Sequence, residues 1–424
     1  MVRQMKDSGV EWIGEIPEEW QVIKCKHIAT VQAGFPFDSA KFSNSEGTPL
    51  IRIRDITSGY TQTFYTGEYD SEYIVSSGNL LIGMDGDFNI RMWQGTNALL
   101  NQRCCRVVSN SEIELSFLYY CLPFHLEITN NLAYATTVKH LSNSDILNAP
   151  VPYPQKCRRE RIISYLDHKC AEIDKVVEQN CATIEEYKKL KQAIITEAVT
   201  KGVRGARPMK PSGVEWIGDI PAEWTVSTLG KVTSSMRNGY VGPTRDLFVD
   251  DGVCYIQSLH IKDGKIDLSK KAYFVRPEWA AERPKVSTGD ILIVQTGDIG
   301  QVGLVTEEYH ECSCHALIIA SPNKSDISSE YLAYFLRSTV GRELLLAHKT
   351  GALLPHLNSG KIRFAEVVHP NTIEEQQEIA TYLDIKCAEI DRIIEKKEQL
   401  IEELGSYKKS LIYEYVTGKK EVTA

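Results

Sequence analysis

Side chains that could bind a metal are concentrated at one place in this sequence. The stretch "HECSCH" brings together His310, Cys312, Cys314 and His315. Zinc sites usually combine such a pair with a second Cys/His cluster, and none lies at a suitable spacing. In a strand, successive side chains also point to alternating faces, so these four do not converge. The sequence therefore predicts no metal site.

Signatures of phosphate binding and acid–base catalysis are equally weak. The stretch "TGDIGQVGLV" has glycines at 297, 300 and 303 and loosely resembles a dinucleotide-binding loop, but a strand-like segment follows it where a helix is required. Asp85 and Asp87 lie in "MDGDFN", which is typical of a turn. No P-loop motif is present, and neither is the Asn/Asp-Pro-Pro-aromatic motif of amino-methyltransferases. We predict that the chain is not an enzyme.

An internal repeat divides the chain into two halves. The phrase "SGVEWIGEIPEEW" (8–20) returns as "SGVEWIGDIPAEW" (212–224), and "YLDHKCAEID" (165–174) returns as "YLDIKCAEID" (382–391). Between these copies the similarity is faint but ordered, and it aligns His140 with His356. Each half therefore has a variable region followed by a helix. The Trp-rich phrase is either an apolar docking anchor or a surface for a shared partner.

Two long helices are the clearest local signal. From about Gln155 to Lys201, and again from about Ile373 to Thr417, apolar residues recur every three or four positions. This spacing is typical of a coiled-coil seam, and about 45 residues of helix reach roughly 65–70 Å. Four polar residues interrupt the seam, either as solvated positions or as residues that fix the register. They are Asn180, Lys191, Lys397 and Lys408.

The regions before the helices have the composition of mixed domains. Short β-branched segments such as "TPLIRIRDI" and "GDILIVQT" are bounded by turn residues, and each half has one short amphipathic helix. We predict an α+β fold, with two α+β domains at 1–153 and 207–371. Each is followed by a long helix, within 154–206 and 372–424, and the helices pair as an antiparallel coiled coil with pseudo-two-fold symmetry.

Composition limits the class of protein. The 424 residues carry a formal net charge of −8, but residues 154–206 contain 11 Lys and Arg against 8 Asp and Glu. A nucleic-acid site must therefore be a local patch. The eleven cysteines are odd in number and scattered, which favours reduced thiols and a cytoplasmic location. No apolar run reaches the roughly 20 residues that span a bilayer.

The pattern of similarity indicates how the two halves are used. The two halves are similar at their ends, which suggests that both present one kind of surface to two copies of a partner. Their variable middle regions differ, which suggests that they bind two different targets. DNA half-sites about one helical turn apart suit such an arrangement. The quoted repeats, together with "TIEEQQEIATYLDIKCAEIDRIIEKKEQLIEEL" from residue 372, closely resemble the specificity subunit of type I restriction–modification systems. The resemblance covers essentially the whole chain.

This resemblance implies a non-catalytic DNA-recognition subunit with two target-recognition domains. The family reads a bipartite, asymmetric DNA sequence, one half per domain, and binds two methyltransferase subunits and a restriction subunit. S-adenosylmethionine, ATP and Mg²⁺ belong to those partners. The chain departs from the family pattern at the start of the first long helix, which is basic. The residues are Lys156, Arg158, Arg159 and Arg161, whereas the second half has the more family-like "TIEEQQEI". This start either changes the helix cap or lies near phosphate.

Base readout requires Arg, Lys, Asn or Gln on exposed loops, and phosphate contacts require basic side chains. In the first domain we expect Arg52 and Arg54 to share a strand face, and "DGDFNIRMW" to form an exposed loop. In the second, "MRNGYVGPTR" combines basic, amide and aromatic groups around glycines. The predicted DNA-binding residues are Lys41, Arg52, Arg54, Asn89, Arg91, Lys139, Arg237, Asn238, Tyr240, Arg245, Gln257, His260, Lys349 and His356. The competing hypothesis is a protein adaptor that binds no DNA, which the net negative charge favours.

Overall fold

The computed structural model describes residues 3–132, 140–269, 271–351 and 355–422. The chain forms two compact units, one of Met1–Gln179 with Gln399–Ala424 and the other of Asn180–Glu398. Each unit therefore contains one mixed α/β domain and a part of each long helix. The helices are α1 (Ile53–Ser58), α2 (Glu112–Leu132), α3 (Asn143–Leu147), α4 (Lys156–Lys201), α5 (Leu229–Val232), α6 (Pro277–Ala281), α7 (Ser329–Arg337), α8 (Thr339–Ala347), α9 (Ser359–Ile362) and α10 (Ile373–Val416).

The strands are short, as expected for segments bounded by Gly, Asp and Asn. In the first unit they are Met5–Asp7, Glu15–Pro17, Gln21–Lys24, Thr30–Ala33, Phe42–Ser43, Thr48–Ile51, Phe64–Tyr65, Ile74–Val75, Leu80–Gly83, Ile90–Met92, Ala98–Leu100, Cys104–Val108 and Pro150–Tyr153. In the second unit they are Met209–Pro211, Asp219–Pro221, Thr225–Thr228, Thr233–Asn238, Phe248–Val249, Val253–Ile256, Ile261–Lys262, Lys265–Ile266, Phe274–Val275, Ile291–Val294, Val302–Leu304, Ser313–Cys314, Leu317–Pro322 and Glu366–His369.

The main sheet has the same topology in both domains. In the first domain the antiparallel order is 90–92, 80–83, 104–108, 30–33, and in the second it is 302–304, 291–294, 317–322, 233–238. Ile82 lies opposite Cys105 in the first sheet, and Leu292 lies opposite Ile319 in the second. The faint similarity between the two variable regions therefore reflects one shared fold.

A second sheet in each domain contains one parallel pair of strands. Thr48–Ile51 runs parallel to Ala98–Leu100, and Val253–Ile256 runs parallel to Ser313–Cys314. In both domains the first strand of the pair is followed at once by a short helical segment, α1 in one case and the 3₁₀ turn Ser258–His260 in the other. These segments carry several of the residues predicted to bind DNA.

The long helices begin and end within two residues of the predicted bounds, and they run antiparallel within each unit. In the first unit, Lys408 Nζ lies 2.6 Å from Asp174 Oδ1. In the second, Lys191 Nζ lies 2.6 Å from Asp391 Oδ1, and Lys397 Nζ donates to Asn180 Oδ1 at 3.0 Å. The two ion pairs are equivalent under the 217-residue offset of the repeat, and Asn180 and Lys397 are themselves equivalent positions. The polar seam residues therefore have partners on the opposite helix, which favours a role in fixing the register.

The repeated Trp-rich phrase forms a hairpin that packs against the end of a long helix. In the first copy Ile13, Ile16 and Trp20 are buried with Leu411 and Val416 of α10. In the second copy, Ile217, Ile220 and Trp224 are buried with Ile195 and Val199 of α4. These contacts fit the docking-anchor interpretation of the phrase.

Candidate nucleic-acid interface

Arg52 and Arg54 do not share a strand face, and that prediction is wrong. The strand ends at Ile51, Arg52 precedes α1, and Arg54 lies in the first turn of the helix. The backbone N–H of Arg52 donates to Asp55 Oδ2 at 2.8 Å, so the carboxylate of Asp55 closes the helix start. The Arg52 guanidinium has no hydrogen-bond or ion-pair partner among the described residues, and the Arg54 side chain is 64% exposed. Arg54 Nη2 donates to Thr63 Oγ1 at 3.3 Å and its Nε lies 3.7 Å from Asp55 Oδ1, so of the two guanidiniums only that of Arg52 is unpaired within the described residues.

Arg91 holds α1 in place from the neighbouring strand. Its Nη1 donates to the carbonyl oxygens of Ile56, at 3.2 Å, and Thr57. These carbonyls lie at the end of the helix, where a cation is favourable. Asn89 precedes that strand and is exposed, while its carbonyl oxygen accepts from Gly83 N–H at 2.8 Å. Arg91 therefore has a structural role, whereas the Asn89 side chain is free to reach outward.

The two remaining candidates of the first domain lie apart from α1. Lys41 ends a 3₁₀ turn, is exposed, and has its carbonyl bonded to the Thr66 N–H at 3.1 Å. Lys139 lies outside the described residues. Its neighbour His140 is hydrogen bonded through Nδ1 to Asp85 Oδ1 at 2.8 Å, and Arg103 lies 3.1 Å from the other oxygen of Asp85.

Arg237 is used within the second domain, which argues against its predicted role in DNA binding. Its Nη2 donates to the Lys285 carbonyl at 2.9 Å and lies 3.3 Å from the buried carboxylate of Asp290. Its Nη1 donates to the hydroxyls of Ser235 and Ser321. Breaking an ion pair with a buried carboxylate is costly, so this guanidinium is not free for DNA. The adjacent Asn238 is exposed at the strand end.

His260 is also a structural residue, contrary to its prediction as a DNA ligand. It is 1% exposed, its Nδ1 accepts from the Gln257 N–H at 3.0 Å, and its Nε2 donates to the Lys271 carbonyl at 2.9 Å. Burial lowers the pKa of this imidazole, which favours the neutral form. His260 occupies the position that Asp55 has in the first domain. Each of these side chains accepts a hydrogen bond from the backbone N–H of the residue that precedes the helical turn. Gln257 therefore corresponds to Arg52, and its side chain has no partner among the described residues.

Tyr240 lies in an aromatic cluster of the second domain. Its ring centroid is 5.0 Å from that of Trp279 and 6.3 Å from that of His315, and Arg283 lies 5.4 Å away. Arg245 follows on an exposed turn and has no hydrogen-bond or ion-pair partner in the described part of the chain. Tyr240 is therefore packed among aromatic and cationic side chains, whereas Arg245 is an exposed cation five residues later in the sequence.

The last two candidates flank one loop of the second domain. Lys349 is exposed just after α8. His356 pairs with Thr350 through both backbone groups, and its Nε2 lies 3.0 Å from Thr350 Oγ1. His140 in the first domain lies at the matching place but contacts Asp85, so the two histidines have different partners.

Two arginines at the basic start of α4 are paired within the first unit. Arg159 is 5% exposed, and its Nη2 donates to Glu114 Oε1 at 2.8 Å, while Tyr153 donates to the same oxygen at 2.7 Å. Arg158 pairs with Glu421 at 2.8 Å. Both arginines are bonded to carboxylates, which argues against phosphate contact by either.

Two residues next to Arg52 and Gln257, namely Asn101 and His315, were not predicted from the sequence. The backbone N–H of Asn101 donates to the Ile51 carbonyl at 3.3 Å, and that of His315 donates to the Ile256 carbonyl at 2.8 Å. Each therefore lies next to Arg52 or Gln257. A sequence signal that could have found them is a pair of glycines, Gly34 and Gly239, which approach Asn101 and Cys314, the residue before His315.

Among the described residues no group of three or more His, Cys, Asp or Glu side chains could hold an ion. Burial raises the pKa of the Cys105 and Cys314 thiols to about 12, so both are protonated at neutral pH. Within the described residues no helix has the length and apolar character of a membrane span.

The fold and the repeated domains define a class of protein. Residues 17–192 and 221–403 both match the family model of the type I restriction modification DNA specificity domain. Since these two matches cover most of the chain, the chain belongs to that family. Members of this family are the non-catalytic DNA-recognition subunits of type I restriction–modification systems.

Individual relatives agree with this assignment. The chain is 29% identical over 432 residues to the type I restriction enzyme EcoBI specificity subunit of Escherichia coli, covering 100% of this chain and 90% of the relative. It is 22% identical over 420 residues to the MjaVIII specificity subunit of Methanocaldococcus jannaschii, covering 96% and 94%.

One solved structure supports the fold. It comes from work on complex assembly and conformational transition of the type I R-M system, and it matches with a TM-score of 0.67 and 17% identity over 96% of this chain and 99% of that chain. At this identity the likeness bears on the fold alone.

Proposed function

We propose that this chain binds a bipartite, asymmetric DNA sequence, one half per domain. It docks two methyltransferase subunits and, through them, the restriction subunit. S-adenosylmethionine, ATP and Mg²⁺ are then bound by those partners. The observation that carries the proposal is that the two domains share one backbone framework but carry different, partly exposed side chains on it. Arg52 and Gln257 occupy the same capping position, so the two domains would read different bases.

The long helices offer a surface for the methyltransferases. On α10 the apolar side chains Tyr382, Ile385, Ile393, Leu400 and Tyr407 are between 37% and 56% exposed. At 100° per residue their spacing places them on one face of the helix. On α4, Val176 and Leu190 are 40% and 47% exposed at positions equivalent to Ile393 and Tyr407. Matching apolar faces on two repeats suit two copies of one partner.

DNA binding is tested by electrophoretic shift of the chain with its methyltransferase at low and high salt. Phosphate contacts predict an affinity that falls steeply with salt, because counterions are released on binding. A complex that forms but does not shift DNA at low salt would favour the adaptor hypothesis.

Docking is tested by co-purification. The double substitution Ile393→Glu and Leu400→Glu places charge on the apolar face and should abolish capture of the methyltransferase. The matched control, Glu395→Lys and Glu402→Lys, alters exposed residues on another face of the same helix and should leave capture intact. Equal capture by both variants would contradict docking at this face.

A further inference from the structure

One small surface lies at the same place in both domains, where three backbone segments meet. In the first domain Phe35 N–H donates to the Leu100 carbonyl at 2.9 Å, and Asn101 N–H donates to the Ile51 carbonyl. In the second domain, Tyr240 and His315 make the equivalent bonds to Cys314 and Ile256. The side chains at this junction therefore start from matching backbone positions.

A glycine in each domain makes this junction possible. A Cβ added to Gly34 would lie 2.1 Å from the Asn101 carbonyl oxygen, and one added to Gly239 would lie 2.6 Å from the Cys314 carbonyl oxygen. Contacts this short exclude any side chain, so both domains need glycine for the close approach. The two domains therefore share both the glycine and the backbone hydrogen bonds at this junction.

The outward side chains at the junction differ between the domains. Phe35, Arg52, Arg54 and Asn101 in the first domain correspond to Tyr240, Gln257, Leu259 and His315 in the second. Phe35 is 42% and Leu259 is 57% exposed. The set combines an aromatic ring with Arg, Gln, Asn or His, which are the groups that stack on bases or read their edges.

The polar members of this set have unused hydrogen-bonding groups. Asn101 Oδ1 accepts from the Gln102 N–H at 2.8 Å, and no protein acceptor contacts its amide NH₂ among the described residues. His315 Nδ1 lies 3.2 Å from the Tyr255 hydroxyl, while Nε2 has no partner in the same part of the chain. Burial lowers the pKa of His315, so its neutral ring can donate or accept.

We propose that this junction is the base-reading site of each domain, with Arg52 and Asn101 reading one half of the DNA sequence and Gln257 and His315 reading the other. The proposal rests on the proposed function and deepens it to named residues. Phe35 and Tyr240 supply the stacking surface beside these groups. The capping residues Asp55 and His260 hold the junction and do not contact the DNA.

The test measures DNA discrimination by the complex with its methyltransferase. The probe is a duplex carrying the sequence that the unaltered complex methylates, competed against duplexes with single base changes in each half. Arg52→Gln with Asn101→His gives the first domain the side chains of the second. We expect discrimination to fall about tenfold or more at one or more first-half positions, since a bidentate base contact is worth this much. Second-half discrimination should not change.

Matched controls make the result interpretable. Lys26→Gln changes an exposed basic residue elsewhere in the first domain and should keep full discrimination. The converse variant, Gln257→Arg with His315→Asn, should affect the second half alone. Phe35→Tyr places the tyrosine of the second domain at the equivalent position, and it serves as a mild variant if the double substitution lowers stability.

Two results would overturn the inference. One is a folded variant that keeps the original discrimination in both halves, and the other is an equal loss in both. An unaltered complex that methylates no bipartite sequence would instead remove the proposed function on which the inference rests.

Discussion

Replacing Tyr120 with Phe removes one hydroxyl group that links the first domain to α4. Tyr120 is 4% exposed, and its hydroxyl donates to Asp167 Oδ1 at 2.6 Å. Asp167 belongs to the repeated "YLDHKCAEID", and in the second copy Tyr334 donates to Asp384 at 2.5 Å in the same way. The repeated Asp therefore anchors each domain to its helix.

The cost of this loss follows from the surroundings of the two groups. A hydrogen bond to a charged acceptor contributes about 1.5–3 kcal/mol. Asp167 is exposed and regains water when the hydroxyl is lost, so the lower end, about 1.5 kcal/mol, applies. The ring itself stays buried and its packing is unchanged. For a unit of about 200 residues this lowers Tm by roughly 3–6 °C.

The assay is denaturant and thermal unfolding of the full chain, with Tyr119→Phe as the matched control. Tyr119 is the adjacent residue, and its hydroxyl makes no hydrogen bond among the described residues, so its removal should cost less than about 0.5 kcal/mol. Asp167→Asn keeps an acceptor and should fall between the two. Equal losses for Tyr120→Phe and Tyr119→Phe would show that the Tyr120–Asp167 hydrogen bond does not stabilise the chain.

Three further predictions concern the halves of the site, their separation and pH. Arg54→Ala and Arg245→Ala should each relax only its own half of the methylated sequence, and relaxation of both halves by one variant in methylation mapping would contradict this. Four residues inserted near Gln192, about one helical turn of 6 Å, should lengthen the gap between the halves, and an unchanged gap would contradict the role of the helices as spacers. Burial lowers the pKa of His260, so the stability it contributes is full above about pH 6.5 and is lost as pH falls towards the folded-state value. Melting curves at pH 7.5 and 5.5 should show a smaller pH-dependent loss for His260→Asn than for the unaltered chain, and equal losses would exclude His260 as a cause.

The helices were predictable because their signal is long and periodic. The apolar spacing predicted α4 and α10 to within two residues, since a seam of more than ten turns averages out local exceptions. The sequence also indicated the strands at Leu80–Gly83 and Ile291–Val294, because turn residues lie on both sides of a short apolar segment. The domain boundaries at 153, 206 and 371 stay a prediction.

The binding residues were harder to predict because residue type does not reveal hydrogen-bond partners. Arg91 and Arg237 have the residue type of DNA ligands. However, the Arg91 guanidinium is bonded to backbone carbonyls and that of Arg237 to a buried carboxylate. His260 caps a turn, a role that Asp55 has in the first domain. Asn101 drew no attention because its neighbours in space, Ile51 and Phe35, are distant in sequence.

The most direct test of recognition by two separate domains is genome-wide mapping of methylated adenines in a host that carries this chain with its methyltransferase. If each domain reads one half of the site, the methylated sequence is a single asymmetric one in two parts separated by a gap of fixed length, and substitutions in one domain change one part. A continuous or palindromic sequence, or no sequence-specific methylation by an assembled complex, would contradict it.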